Sequence, residues 1–302
     1  MPDIGLTNQI INNLIYYFND KLLDSGYYEN ILFDESDFAT NDIATLIPVD
    51  DDVYPASGNF YQVWKSPFSN WVYESGIIPP SGMDEPIVAS GIYVGGIFKD
   101  KTDASFEHIV DYKNGRIIFT SGQDQSLDIK GQFAYKLVNI KIPNKRDQIF
   151  LDRILFTNPD LDTAQLLPSG FQETLPLILI DHDEDRLSPA QLGGSHNVNV
   201  RLLCHILAND KPSKNNIKDA ILRLERQVPL MIDFNEATHP LDFNGDFASG
   251  QYPFSFKEKQ ADSSILYRKL YLDSMKGRNI RSGLGLEQAV IDIDALVFKP
   301  GF

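Results

Sequence analysis

The stretch NVNVRLLCHILANDKPSKNNIKDAILRLERQVPLMIDF (residues 197–234) decides the fold. In its first part Val198, Val200, Leu202, Cys204 and Ile206 alternate with Asn199, Arg201 and His205, the period of two of a strand with one buried face. NDKPS reads as a turn. Beyond it the period lengthens: Ile217, Ala220, Ile221 and Leu224 form the buried stripe of a helix, with Ser213 as its expected N-cap. PLMIDF then returns to a short apolar run suited to a strand. Two further segments follow, YRKLYLD (267–273) and AVIDIDALVF (289–298); in the second, Ile291, Ile293, Ala295 and Val297 alternate with Asp292 and Asp294. The order strand, helix, strand, strand, strand implies a mixed, largely antiparallel sheet with one packed helix.

The first half has a different texture. TNQIINNLIYYFNDKLLDSG (7–26) spaces Ile10, Ile11, Leu14, Ile15, Phe18 and Leu22 along one helical face, with Asn, Asp and Lys opposite, Thr7 as the expected N-cap and Gly26 as the stop. From Tyr27 to Ile142 the chain breaks into short runs rich in β-branched and aromatic residues, separated by Pro, Gly and Ser. HIVDYKNGRIIF (108–119) reads as a hairpin turning at Asn114 and Gly115, the structural turn, with Arg116 and Asp111 as a cross-strand ionic contact. YQVWKSPFSNWVYES (61–75) reads as a second hairpin, which would bring Trp64 and Trp71 together. The fold class is therefore α+β: an amphipathic helix, a β-rich N-terminal half, and a C-terminal mixed sheet with one helix. A boundary is expected near residue 145, giving 1–145 and 146–302.

Composition narrows the function. A net charge of −15 sets a field that repels nucleic acid and anionic membranes, so no broad nucleic-acid binding is expected; KGR (276–278) with Arg281 is a small basic exception. Cys204 is the single cysteine, which rules out an intrachain disulfide and a Cys-rich zinc site, and its place on an apolar strand face makes it buried and inert. No run approaches a membrane span, and no secretory leader is read at the start, so a soluble, unexported protein is expected.

The reactive groups give no catalytic signature. DHDED (181–185) could offer oxygen ligands to a divalent cation, but neighbouring residues on an extended chain point in alternate directions, and an acidic loop after the apolar run LPLILI is the better reading. Cys204 and His205 face opposite sides of their strand and cannot act as a nucleophile pair. The glycines of GIYVGG lack the following helix and Lys-Ser/Thr of a phosphate loop. No catalytic residue, metal site or cofactor is assigned. Trp64 and Trp71 invite a sugar-stacking platform, although mixed Tyr, Val and Trp strands more often pack.

Two regions resemble virion structural proteins of tailed bacteriophages, in particular neck and tail-completion components of contractile-tailed phages. One runs from VYPASGNFYQVWKSPFSNWVYESGI (53–77) through ASGIYVGGIF (89–98) to HIVDYKNGRIIF; the other is the stretch 197–234, similar in order to tail-terminator folds. The resemblance implies a non-catalytic subunit of the virion, assembled in the host cytoplasm. It would form or join a homo-oligomeric ring, six-fold or twelve-fold, at the head–tail neck and contact tube, sheath or connector proteins. A baseplate or sheath-associated position, or a carbohydrate-binding β module, are the alternatives. Trp64, Trp71, Tyr73 and Phe119 are the candidate interface residues, being of the types favoured at interface cores.

Overall fold

The computed structural model describes residues 5–33, 43–143, 175–189, 196–241, 253–281 and 286–298. The chain forms two compact units. The first comprises Met1–Leu22, Val138–Gln251 and Ser255–Phe302; the second comprises Leu23–Leu137 and Tyr252–Phe254. This corrects the expected division at residue 145. The helical segment up to Leu22 belongs with the C-terminal sheet, and the β-rich region is an insertion between them.

Helix α1 (Leu6–Asp24) shows why. It starts one residue before the expected cap, with the Gly5 carbonyl accepting from Gln9 N–H, and it stops where Gly26, at φ 83°, donates its N–H to the Leu23 carbonyl. Its apolar stripe is buried, and so are Gln9, Asn12, Asn13, Asn19 and Asp20 on what reads as its wet face. Two of these amides are spent on backbone. Asn13 Oδ1 accepts from Ile232 N–H at 2.8 Å while Nδ2 donates to the Ile232 carbonyl at 3.0 Å; Gln9 Oε1 accepts from Phe234 N–H at 3.0 Å. Side chains of the helix thus satisfy the outer edge of a strand that would otherwise be unpaired.

That strand is the last of six in the first unit's sheet. The described strands of the second unit come in chain order: β1 (Tyr28–Ile31), β2 (Ile47–Val49), β3 (Phe60–Lys65), β4 (Gly91–Val94), β5 (Ile97–Asp100), β6 (His108–Asp111), β7 (Arg116–Asp124), β8 (Ile129–Lys130) and β9 (Phe133–Lys136); β10 (Asn139–Lys141) already belongs to the first unit. The first unit continues with β11 (Leu177–Pro189), β12 (His196–Ala208), helix α2 (Lys211–Leu222), β13 (Leu230–Ile232), helix α3 (Phe256–Ala261), β14 (Leu266–Arg281) and β15 (Glu287–Phe298). Its sheet has the order β10-β11-β12-β15-β14-β13, antiparallel throughout except for the parallel β10–β11 pair.

Alternation in β12 and β15 sets the faces. Val198, Val200, Leu202, Cys204 and Ile206 pair with Val297, Ala295, Ile293, Ile291 and Ala289, and all ten are buried. Helix α2 lies on this face. Asp210, rather than Ser213, is its N-cap, accepting from Ser213 N–H at 2.8 Å. Ile217 and Ile221 are buried beneath it, and Lys214 reaches Glu287 at 2.6 Å. Gly277 on β14 lets the helix approach: a Cβ there would lie 3.0 Å from Leu222 Cδ1. DHDED is not a loop; β11 runs through it to Pro189, with an irregularity between His182 and Glu184.

The second unit holds a four-stranded sheet β2-β3-β7-β6, a three-stranded sheet β5-β4-β8 and the β1–β9 pair. The two-residue hairpin loop is Gly95-Gly96, with φ 56° and 83°, joining β4 to β5. The Asn114-Gly115 hairpin instead turns over four residues, Tyr112–Gly115, since Asp111 pairs with Arg116, and of its Asn-Gly pair only Gly115 has a positive φ. Residues 61–75 are no hairpin. β3 pairs with β2 and β7, while Trp71 bridges to Tyr135.

Candidate assembly interface

The second unit corrects the surface role expected for its aromatics. Trp64, Trp71, Tyr73 and Phe119 are 1, 1, 3 and 1% exposed, all within the unit's own core. Trp71 stacks on Phe133 with centroids 4.0 Å apart and donates to the Phe68 carbonyl at 3.0 Å; Trp64 donates to the Tyr61 carbonyl at 3.3 Å. Tyr73 meets Tyr112 edge-on, and Phe119 meets His108 edge-on. These rings present no stacking platform to a sugar, and none reaches a neighbouring subunit without unfolding the unit. Asn114 and Gly115 hold the turn: Asp111 accepts from Asn114 Nδ2 at 2.8 Å and from Arg116 Nε at 2.7 Å, and Arg116 also pairs with Asp51.

A buried ion pair lies in the same unit. Lys136 bonds Glu74, both almost fully buried, and its ammonium sits 4.0 Å from the Tyr73 ring centroid. Desolvation pulls the Lys136 ammonium below the usual lysine range, and Glu74 opposes that shift. The pair fixes the packing of Glu74 against β9 and faces no solvent.

In the first unit the reactive side chains are equally enclosed. Burial pushes the Cys204 thiol up to about 12, far from a thiolate at neutral pH. Burial also pushes the His205 imidazole below its ordinary value, against the pull of Asp181 and Asp292. Among the described residues no group of three or more His, Cys, Asp or Glu is placed to hold a metal ion. Of the DHDED side chains, Asp183 is paired with Arg201 at 3.4 Å, while Glu184 and Asp185 lie outside the described side chains.

What the first unit does expose is the part of its sheet's second face around Arg201 and Arg278, with parts of both edges; further along that face His205, Leu207 and Val290 are buried. On that face Arg201 joins Asp183 to Asp292 at 3.4 and 3.6 Å, and Arg278 approaches Asp292 at 3.8 Å. Among the described residues the edges are open because the outermost strands are short. β10 covers β11 only at Leu177–Leu179, and β13 covers β14 only at Leu266–Lys269. Backbone bonds from Leu272 to Arg226 and Gln227, and a 3.5 Å contact from the Met275 N–H to Glu225 Oε1, carry the β14 edge slightly further. Among the described residues no strand pairs with the outer edge of β11 from Ile180 to Pro189, or with that of β14 from Asp273 to Arg281. Unpaired ladder groups of this length are templates for another strand.

No sequence signal pointed to these edges, because openness depends on how far β10 and β13 extend. No helix among the described residues is long and apolar enough to cross a membrane. No protein-family model matches the chain, and no curated protein matches it in sequence.

Proposed function

We propose that this chain is a non-catalytic structural subunit of a tailed-phage particle, assembled in the host cytoplasm and incorporated at the head–tail neck, where it forms or joins a ring that terminates or completes the tail. The observation that carries this reading is the first unit's sheet: strand β12, a short turn and helix α2 follow one another, and strands β11 and β14 have outer edges that no described strand covers over most of their length. That order is the one the tail-terminator resemblance leads one to expect, and open edges suit a protein whose partners are further strands. The net charge of −15 keeps unassembled copies apart and soluble until a specific edge contact forms.

Quantitative peptide mass spectrometry of gradient-purified particles tests it. A fixed copy number per particle, matching a six-fold or twelve-fold ring and unchanged through a second purification, is expected. A chain that is absent from particles, or present in trace and variable amounts, overturns the reading.

A further inference from the structure

The charged sequences DHDED, in β11, and KGR, in β14, come to lie on opposite edges of one sheet. We propose that copies of this chain join head to tail, the β14 edge of one copy pairing antiparallel with the β11 edge of the next, with Lys276 and Arg278 set against Asp181 and Asp183. The partner is a second copy of this chain. The biological setting of the contact rests on the ring-subunit reading above; the contact itself rests on the sheet.

Three features of the sheet carry it. Direction comes first. β11, β12, β15 and β14 alternate in sense across the sheet, so β14 runs opposite to β11. A neighbouring copy in the same orientation therefore offers its β11 antiparallel to β14, and the ladder continues without inverting either subunit.

Faces and rows agree as well. Asp181 pairs with Leu203, Leu203 with Asp292, and Asp292 with Lys276, so a single cross-strand row begins at an acidic residue and ends at a basic one. Arg278 lies two residues further along the same face, and Asp183 points onto that face through its bond to Arg201. A two-residue step of the next copy from that row sets Arg278 opposite Asp181 and Lys276 opposite Asp183, within the stretches of β14 and β11 that no described strand covers. Lys276 is exposed and has no ion-pair partner among the described residues, and Arg278 is 63% exposed.

Charge then selects this arrangement over the symmetric ones. Pairing two β14 edges about a two-fold axis would oppose Lys276 and Arg278 to their own copies, and pairing two β11 edges would oppose Asp181 and Asp183 to theirs. Only the head-to-tail contact places opposite signs together. Such a contact uses different surfaces on each copy, so it propagates into a closed ring, or into a filament if the rotation does not close. The ladder hydrogen bonds supply the holding energy; the charges set partner and register.

Charge reversal of the full-length chain provides the test, read by sedimentation velocity and native mass spectrometry at concentrations up to about 100 µM. The wild-type chain is expected to form discrete oligomers that weaken as salt is raised. Lys276→Glu with Arg278→Glu, and separately Asp181→Lys with Asp183→Lys, are expected to be folded monomers, each presenting like charges on both edges. An equimolar mixture of the two is expected to assemble again, because the reversed β14 edge fits the reversed β11 edge and the two unaltered edges fit each other. Lys276→Glu alone, at a position free of intrachain ion pairs, gives the same direction of change if a double variant fails to fold. A monomeric wild-type chain, variants that assemble like the wild type, or a mixture that stays monomeric would each overturn the proposal. A chain that assembles this way yet is missing from particles would leave the contact standing and remove the phage reading.

Discussion

Replacing Asn13 with alanine tests the placement of helix α1 more sharply than any truncation. The amide of Asn13 bonds both the N–H and the carbonyl of Ile232, at 2.8 and 3.0 Å, and Asn13 is 3% exposed. The variant Asn13→Ala leaves two buried backbone groups without their partners, at about 1–3 kcal/mol each. Alanine's better helix propensity returns about 0.5 kcal/mol. A net loss of about 1.5–5.5 kcal/mol follows, a large part of a typical stability of about 5–15 kcal/mol. Because two units need not unfold together, a local readout is preferable to one midpoint. In hydrogen exchange followed by mass spectrometry, peptides spanning β13 are expected to exchange faster by about two orders of magnitude, while peptides spanning β9 in the other unit keep their protection. Unchanged exchange at β13 would mean that the helix does not hold that edge. Equal acceleration in both units would mean that they are not separate.

Further outcomes follow from the second unit and from the buried histidines. Gly115→Ala forces a positive φ of 61° on a residue with a Cβ and drives that atom to 1.9 Å from the Phe68 carbonyl oxygen, so a loss of about 2–4 kcal/mol in urea unfolding is expected; a loss below about 0.5 kcal/mol would place the turn elsewhere. Trp71→Ala is expected to cost about 3–5 kcal/mol through the cavity left beside Phe133, with no change in glycan-array signal. A stable variant that loses glycan binding would reinstate the ring as a surface group. Lys136→Met strands the Glu74 carboxylate and is expected to cost about 3–5 kcal/mol, most of it recovered by adding Glu74→Leu; a double variant no better than the single one would contradict the pairing. His108 and His205 have folded-state values held below 6.5 by burial, so the unfolded chain takes up protons first as pH falls. Their contribution to stability is full above that value and is lost below it. The drop in the urea midpoint between about pH 7.5 and about pH 5.5 is expected to shrink when both are replaced by glutamine.

Much of the first unit's sheet is legible in sequence because its two central strands are buried on one face from end to end. The alternation of Val198 to Ile206 and of Ile291 to Val297 reports that face directly. Sequence reasoning fails where long-range pairing overrides local texture. DHDED has the composition of a loop, yet it is held as strand by its ladder with β12 and by Arg201; the basic run after YRKLYLD likewise stays extended because β15 pairs with it to Arg281. Asn13 reads as solvent-facing because nothing local reveals that a strand edge needs its amide. Trp64 and Trp71 look like partners across a hairpin, but β3 finds β2 and β7, which lie elsewhere in the chain. The candidate interface was missed for a related reason. Its charges were visible as two unassigned clusters, and only the ladder shows that they end the same row.

The central claim is a place in the particle, and the most direct measurement is immunogold electron microscopy of intact particles from the native source, with antibody raised against the whole chain. Gold confined to the head–tail junction is the expected result. Gold at the distal tip would move the protein to the baseplate, and particles without label, beside free antigen in the same lysate, would contradict the claim.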